Sequence, residues 1–240
     1  MSISFTQVHI WPMVIAGVFM LIGYLVSNRL KTKFDKYSKT TLVSNMSGKE
    51  IAERMLADHG IHDVKVTCTP GTLTDHYNPT NKTVNLSQAV HDGRNAAAAA
   101  VSAHECGHAV QHATAYKALG FRSKMVPALQ VASNIMPLLV MGISIGSYFA
   151  FSAFPLKEVL YAIVALNAVI ALFAIVTLPV EFDASKRALV WIKKNGVVTQ
   201  TEYEMSKDAL KWAAMTYLVS ALMAIANLAY WVMRLMGSDD

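Results

Sequence analysis

The chain is patterned as long apolar runs separated by mixed segments. The first run, from His9 to Val26, is long enough to cross a hydrocarbon layer of roughly 30 Å at about 1.5 Å per helical residue. Three more follow, near Val126–Phe149, Val159–Val180 and Ala213–Met236. Each predicts a membrane-spanning helix. The first run has no Lys or Arg before it, and Arg29, Lys31, Lys33, Lys36 and Lys39 follow at once. A cleaved signal peptide would show a basic start and a shorter apolar core, so the run reads as an anchor. Lys117, Arg122 and Lys124 precede the second run, and Lys186, Arg187, Lys193 and Lys194 follow the third. The loop between those two runs carries only Lys157 and Glu158. The bias of Lys and Arg toward the cytoplasmic side then gives four spans with both termini outside. Within the spans, Gly142 and Gly146 form a small-residue pair suited to close helix approach. Pro137 and Asn167 either mark a kink and an interhelical hydrogen bond or are simply tolerated.

Between the first two runs, about Ser44 to Ala115, the period changes. Ser47-Gly-Lys-Glu50 is a capping box; helical spacing continues through Ile51, Met55 and Leu56, and Gly60 ends the helix. VKVTC, LTDHY and KTVNLS alternate as short strands separated by Pro70-Gly71 and by NPTN. Ser87 or Asp92 then opens an alanine-rich helix from Asn95 to about Tyr116.

Composition agrees with this partition. Of 240 residues 54% are hydrophobic and only 15% charged, more apolar than an ordinary soluble domain. What lies outside the runs suffices for one small module. The net charge of +5 is accounted for by cytoplasmic loops, and no interleaving of aromatic and basic residues points to nucleic acid. Cys68 and Cys106 form no disulfide framework and fit a reducing compartment.

The alanine-rich helix contains His104-Glu105-Cys106-Gly107-His108. Positions i and i+4 share a helix face, so both imidazoles can reach one ion, and Glu105 sits where it can take a proton from an activated water. A catalytic zinc site takes three protein ligands and leaves a position open. His112 continues the spacing, but each four-residue step rotates by about 40°, so it belongs near the metal and not on it. It is either a supporting or substrate-facing group or a surface histidine. The preferred third ligand is Glu181, directly after the third run, where the chain returns to the side of the active helix. Pro179 just before it could bend the helix and aim the carboxylate. Asp183 is the rival; it lies about 200° round a continuing helix, so only one of the two can face the ion. Cys106 also points about 200° from His104 and is discounted as a ligand.

HECGHAVQH, two apolar spans and then LPVEFDASKRA resemble the YugP-type neutral zinc metallopeptidases, small bacterial membrane proteins with wider kin among the HtpX-type gluzincins. DHYNPTNKTVNLS, Asp75 to Ser87, is similar to that family's strand pair. The resemblance covers most of the chain. It implies one zinc per chain held by His104, His108 and Glu181, with Glu105 as catalytic base. In those relatives an Asp four residues after the glutamate ligand supports a zinc histidine. Here Ser185 stands there, so Ser185, Asp183 or another group must do that work. Zincin folds also imply an extended substrate on an edge strand, here Thr83–Ser87 or Thr72–Tyr77. His112, Tyr77, Tyr116 and Arg187 are candidates for steadying the oxyanion.

The expectation is therefore a mostly α membrane protein, with four transmembrane helices and a small α+β zincin-like cytoplasmic module. Residues 1–28 form the first span, 29–124 the module and 125–180 spans two and three. Residues 181–212 form a cytoplasmic segment carrying the third ligand, and 213–240 the last span and C-terminus. The function expected is a zinc metalloendopeptidase of the bacterial cytoplasmic membrane. It would act on polypeptide or membrane-protein substrates, with the lipid bilayer as its other partner. Two other readings are a site-2-type protease cutting inside the bilayer and a non-enzymatic scaffold or transporter clipped by zinc.

Overall fold

The computed structural model describes residues 5–148 and 155–237. The fold is mostly helical: α1 Phe5–Tyr37, α2 Gly48–Asp58, α3 Gln88–His91, α4 Ala96–Ala113, α5 Lys117–Tyr148, α6 Leu156–Lys194 and α7 Gln200–Met236, with strands β1 Lys65–Thr69, β2 His76–Asn78 and β3 Thr83–Ser87. Among the described residues, four helices are long and apolar enough to cross a membrane, in α1, α5, α6 and α7. They outrun the apolar runs that predict them: α6 continues without a break through Glu181 to Lys194, with Pro179 inside it, and α7 begins at Gln200. Phe149, Asp239 and Asp240 lie outside the described residues.

The chain divides into two compact units. One comprises Leu25–Gly120 and Pro179–Thr216. Its small sheet has the order β1-β3-β2, with β1 parallel and β2 antiparallel to β3. The expected strand LTDHY is displaced to His76–Asn78. Gly71 and Leu73 adopt φ of +103° and +58°, left-handed conformations that a strand does not accommodate. The Ser47–Glu50 capping box forms, with Ser47 N–H donating to Glu50 at 2.6 Å and Glu50 N–H to Ser47 Oγ at 3.2 Å. Gly60 follows the helix end at φ +68°, as its freedom at positive φ allows. The alanine-rich helix starts later than Ser87 or Asp92. Ser87 precedes the one-turn α3 without a side-chain cap, and Asn95 caps α4, its side chain accepting from Ala98 N–H at 2.9 Å.

The core of this unit explains the alanines. Ala96 to Ala100 are each at most 1% exposed. They pack with Ile51, Met55, Val84, Leu86, Val90, Ala188 and Ile192. Small side chains let α4 be enclosed on every side by backbone and larger residues. Each large apolar side chain buried here contributes about 1.5–3 kcal/mol relative to exposure. Polar ties hold the long helices to this core: Trp191 Nε1 donates to Asp58 at 3.0 Å, Ser206 Oγ to the Ala96 carbonyl at 3.1 Å, and Lys33 pairs with Asp208 at 2.7 Å.

The other unit comprises residues up to Tyr24, Phe121–Leu178 and Tyr217 onward. Ile143, Leu160, Ile163, Tyr230 and Trp231 form its buried centre. Asn167 is 2% exposed and accepts a hydrogen bond from Asn227 Nδ2 at 2.9 Å, linking α6 to α7. Among the described residues, a Cβ added at Gly142 would meet nothing within 4 Å.

Candidate metal centre

The site is made where α4 and α6 touch. Gly107, in the middle of the histidine motif, is the reason they can. A Cβ at that position would lie 2.6 Å from the Ala184 carbonyl oxygen and 3.1 Å from its Cα. Glycine therefore lets the α6 backbone press against α4 between the two histidines. One turn of α6 then presents Glu181 and Ser185, which flank Ala184, toward His104 and His108.

His104 Nε2 and His108 Nε2 lie 3.3 Å and 3.5 Å from the same carboxylate oxygen, Glu181 Oε2. Among the described residues, His104, His108 and Glu181 are the three His, Cys, Asp or Glu side chains placed to hold one ion, with ligand atoms all within 4.8 Å of one another. The separations suit zinc: two donors about 2.1 Å from an ion at the tetrahedral angle stand roughly 3.4 Å apart. The donor set of two imidazoles and a carboxylate suits it as well.

The outer nitrogens of both rings are engaged. Ser185 Oγ is 3.1 Å from His104 Nδ1. Gln111 Oε1 is 3.0 Å from His108 Nδ1. Gln111 in turn donates through Nε2 to the Val180 carbonyl at 2.7 Å and to Asp183 Oδ2 at 2.9 Å. Asp183 thus faces Gln111 and Arg187, whose Nε lies 2.6 Å from Oδ2, and is not among the grouped ligands. The Arg187 guanidinium also sits over the Tyr116 ring at 5.8 Å. Sequence reasoning did not single out Gln111. Its signal was the i+3 spacing from His108, which puts it one turn along the same face.

Glu105 is 8% exposed and accepts the backbone N–H of Tyr77 at 3.0 Å through Oε2. The Tyr77 hydroxyl lies 2.7 Å from His112 Nδ1. One residue of β2 thus grips α4 at two positions seven residues apart. Burial, helped by the charge of Asp63, holds the Tyr77 phenol above its ordinary value, so it stays protonated. The two candidate edges resolve unequally. Thr83–Ser87 is the middle strand of the sheet, paired on both sides, whereas β2 is an edge strand. Cys106 is fully buried and points into the core, its Sγ 3.5 Å from the Ala52 carbonyl. Burial pushes its thiol far above the usual range.

Burial would lower the His108 imidazole below its ordinary value. The hydrogen bond to Glu181 and the charges of Glu105 and Glu181 overcome this and hold it above. A proton is therefore favoured at this position in the metal-free protein.

The sequence matches the family described as "Putative neutral zinc metallopeptidase" over residues 12–236. The chain belongs to that family. It is also 38% identical over 220 residues to "Putative membrane protease YugP" of Bacillus subtilis (strain 168), a match spanning 91% of this chain and 94% of the relative. No solved structure matches the chain. As a member of the zinc metallopeptidase family with four helices fit to cross a membrane, the chain is supported as a membrane metalloprotease.

Proposed function

We propose that this protein is an integral-membrane zinc metalloendopeptidase of the bacterial cytoplasmic membrane, hydrolysing peptide bonds at the cytoplasmic face. One observation carries the reading: His104, His108 and Glu181 converge from two helices, while Glu105 stands beside them, held by the Tyr77 N–H. A zinc ion held there supplies a Lewis acid for the scissile carbonyl and a water acidified from a pKa of about 15.7 to roughly 7.

The chain's own groups do the rest. The Tyr77 N–H fixes Glu105 Oε2, leaving Oε1 to accept the water proton. Water oxygen bonds to the carbonyl carbon, the C–N bond breaks, and the proton on Glu105 passes to the departing amine. With the Tyr77 N–H held by Glu105, an extended polypeptide would pair with the remaining outward backbone groups of the edge strand β2, a mode that accepts many side chains. Of the groups considered for the oxyanion, Tyr77 and His112 stand together on the Glu105 side. Arg187 is engaged by Asp183 and Tyr116.

Cutting inside the bilayer is a weaker fit, because α4 is not among the helices long and apolar enough to cross. A structural zinc clip is weaker too: it would close the site with a fourth ligand and leave Glu105 without a task. The test is cleavage of an unfolded protein such as casein by the zinc-loaded enzyme in detergent, alongside Glu105→Gln. The variant should retain zinc and lose cleavage by at least about a hundredfold. Undiminished cleavage by Glu105→Gln would reject the mechanism.

A further inference from the structure

The two histidines are held differently, and the difference fixes which nitrogen of His108 carries its proton. Gln111 is 0% exposed, so water cannot satisfy its amide. Its nitrogen faces two atoms that only accept, the Val180 carbonyl at 2.7 Å and Asp183 Oδ2 at 2.9 Å. Turning the amide over would set oxygen against oxygen at both contacts. The amide nitrogen must therefore point toward α6, and Oε1 toward His108 Nδ1 at 3.0 Å. An amide oxygen only accepts. His108 Nδ1 must then carry the hydrogen, which leaves the Nε2 lone pair directed at the Glu181 side. His104 has no such constraint, because the Ser185 hydroxyl can donate or accept.

We infer that Gln111 and Asp183 are positioning residues that keep a hydrogen on His108 Nδ1, so that Nε2, facing Glu181, is the nitrogen left to hold a metal ion. Asp183 acts only through Gln111. Arg187 Nε donates to the same oxygen at 2.6 Å and holds that carboxylate in place. The assignment of His108 and Glu181 as zinc ligands, on which this rests, is that of the proposed function. The tautomer itself can be read in metal-free protein.

The experiment combines zinc affinity by chelator competition with 15N spectra of histidine-labelled, metal-free protein in detergent. The spectra are recorded over a rising pH series, and the tautomer is read from the neutral form of His108. Gln111→Met preserves the side chain's bulk and removes its amide; Asp183→Leu removes the acceptor. Each should weaken zinc binding by about 10- to 100-fold and turn the His108 signal from Nδ1–H into a mixture of tautomers. Asp183→Asn can keep an oxygen where Oδ2 stands, and should restore both readouts close to wild type. A mere packing role for Gln111 would leave Gln111→Met unchanged in tautomer and affinity, and that result overturns the inference. So does a wild-type His108 whose neutral proton sits on Nε2. If the wild type binds no zinc, the proposed function fails, and the metal-free spectra still decide the tautomer. Should Gln111→Met fail to fold, the Asp183→Leu and Asp183→Asn pair decides the matter alone.

Discussion

At the scale of single residues, the site is governed by competition for one place. Glu181 favours a cation between itself and the two imidazoles, and it raises His108 against the effect of burial. Zinc needs the neutral imidazole. Acidification should therefore weaken zinc binding, with the fall in affinity beginning above the ordinary histidine value of about 6.5, seen by chelator competition. The metal-free protein behaves in the opposite sense. A group whose pKa is raised by folding contributes stability fully below its unfolded value, and that contribution fades as pH rises through the folded value. Metal-free protein should thus lose this contribution on the alkaline side, and zinc-loaded protein should lose its metal on the acid side. A zinc affinity flat between pH 8 and pH 6 would contradict this account of His108.

The residue scale also shows what a sequence can carry. The His104–His108 pair was legible because i, i+4 spacing fixes a shared face whatever surrounds it. Ser185 was visible as a departure from a family pattern. Its hydroxyl now lies beside His104 Nδ1, while Asp183 reaches toward His108 through Gln111. Gln111 was not legible. A glutamine inside a helix takes a role only when a second helix supplies the acceptors, and Val180 and Asp183 come from about seventy residues further on.

At the scale of elements, one contact decides the site, the approach of α6 to α4 at Gly107. The small residues around the motif announced close packing, but not its partner. Ala184 could be named only once α6 was seen to run unbroken past Glu181. Gly107→Ala would place a methyl group 2.6 Å from the Ala184 carbonyl oxygen. The helices must part, at a cost of about 1–3 kcal/mol, carrying Glu181 and Ser185 away from the histidines. Thermal unfolding of zinc-loaded protein should show the loss, and zinc affinity should fall with it. Wild-type values in both would mean that this contact does not set the geometry. Strand limits were less legible than helices. Alternation marked three strands, yet the left-handed Leu73 shortens the second to His76–Asn78, and only pairing shows that Thr83–Ser87 is the middle strand.

At the scale of the molecule, apolar length fixes the helices and the distribution of lysine and arginine fixes the expected orientation. The helices were legible because apolar length is a one-dimensional property of the chain. The native cysteines test the orientation without further mutation. Cys68 is exposed and Cys106 buried. With the module in the cytoplasm, a membrane-impermeant maleimide should leave intact cells unlabelled, and should label Cys68 alone after permeabilisation. Labelling of Cys68 in intact cells would reverse the topology and move the proposed activity to the outer face.

The central claim is that one zinc ion is held by residues from two distant parts of the chain. Its most direct measurement is metal content of the purified protein in detergent, wild type beside Glu181→Ala. About one zinc per wild-type chain is expected, held by three ligands, and most of it should be lost when Glu181 is removed. A wild type without zinc, or a Glu181→Ala variant that binds it as tightly as before, would contradict the account.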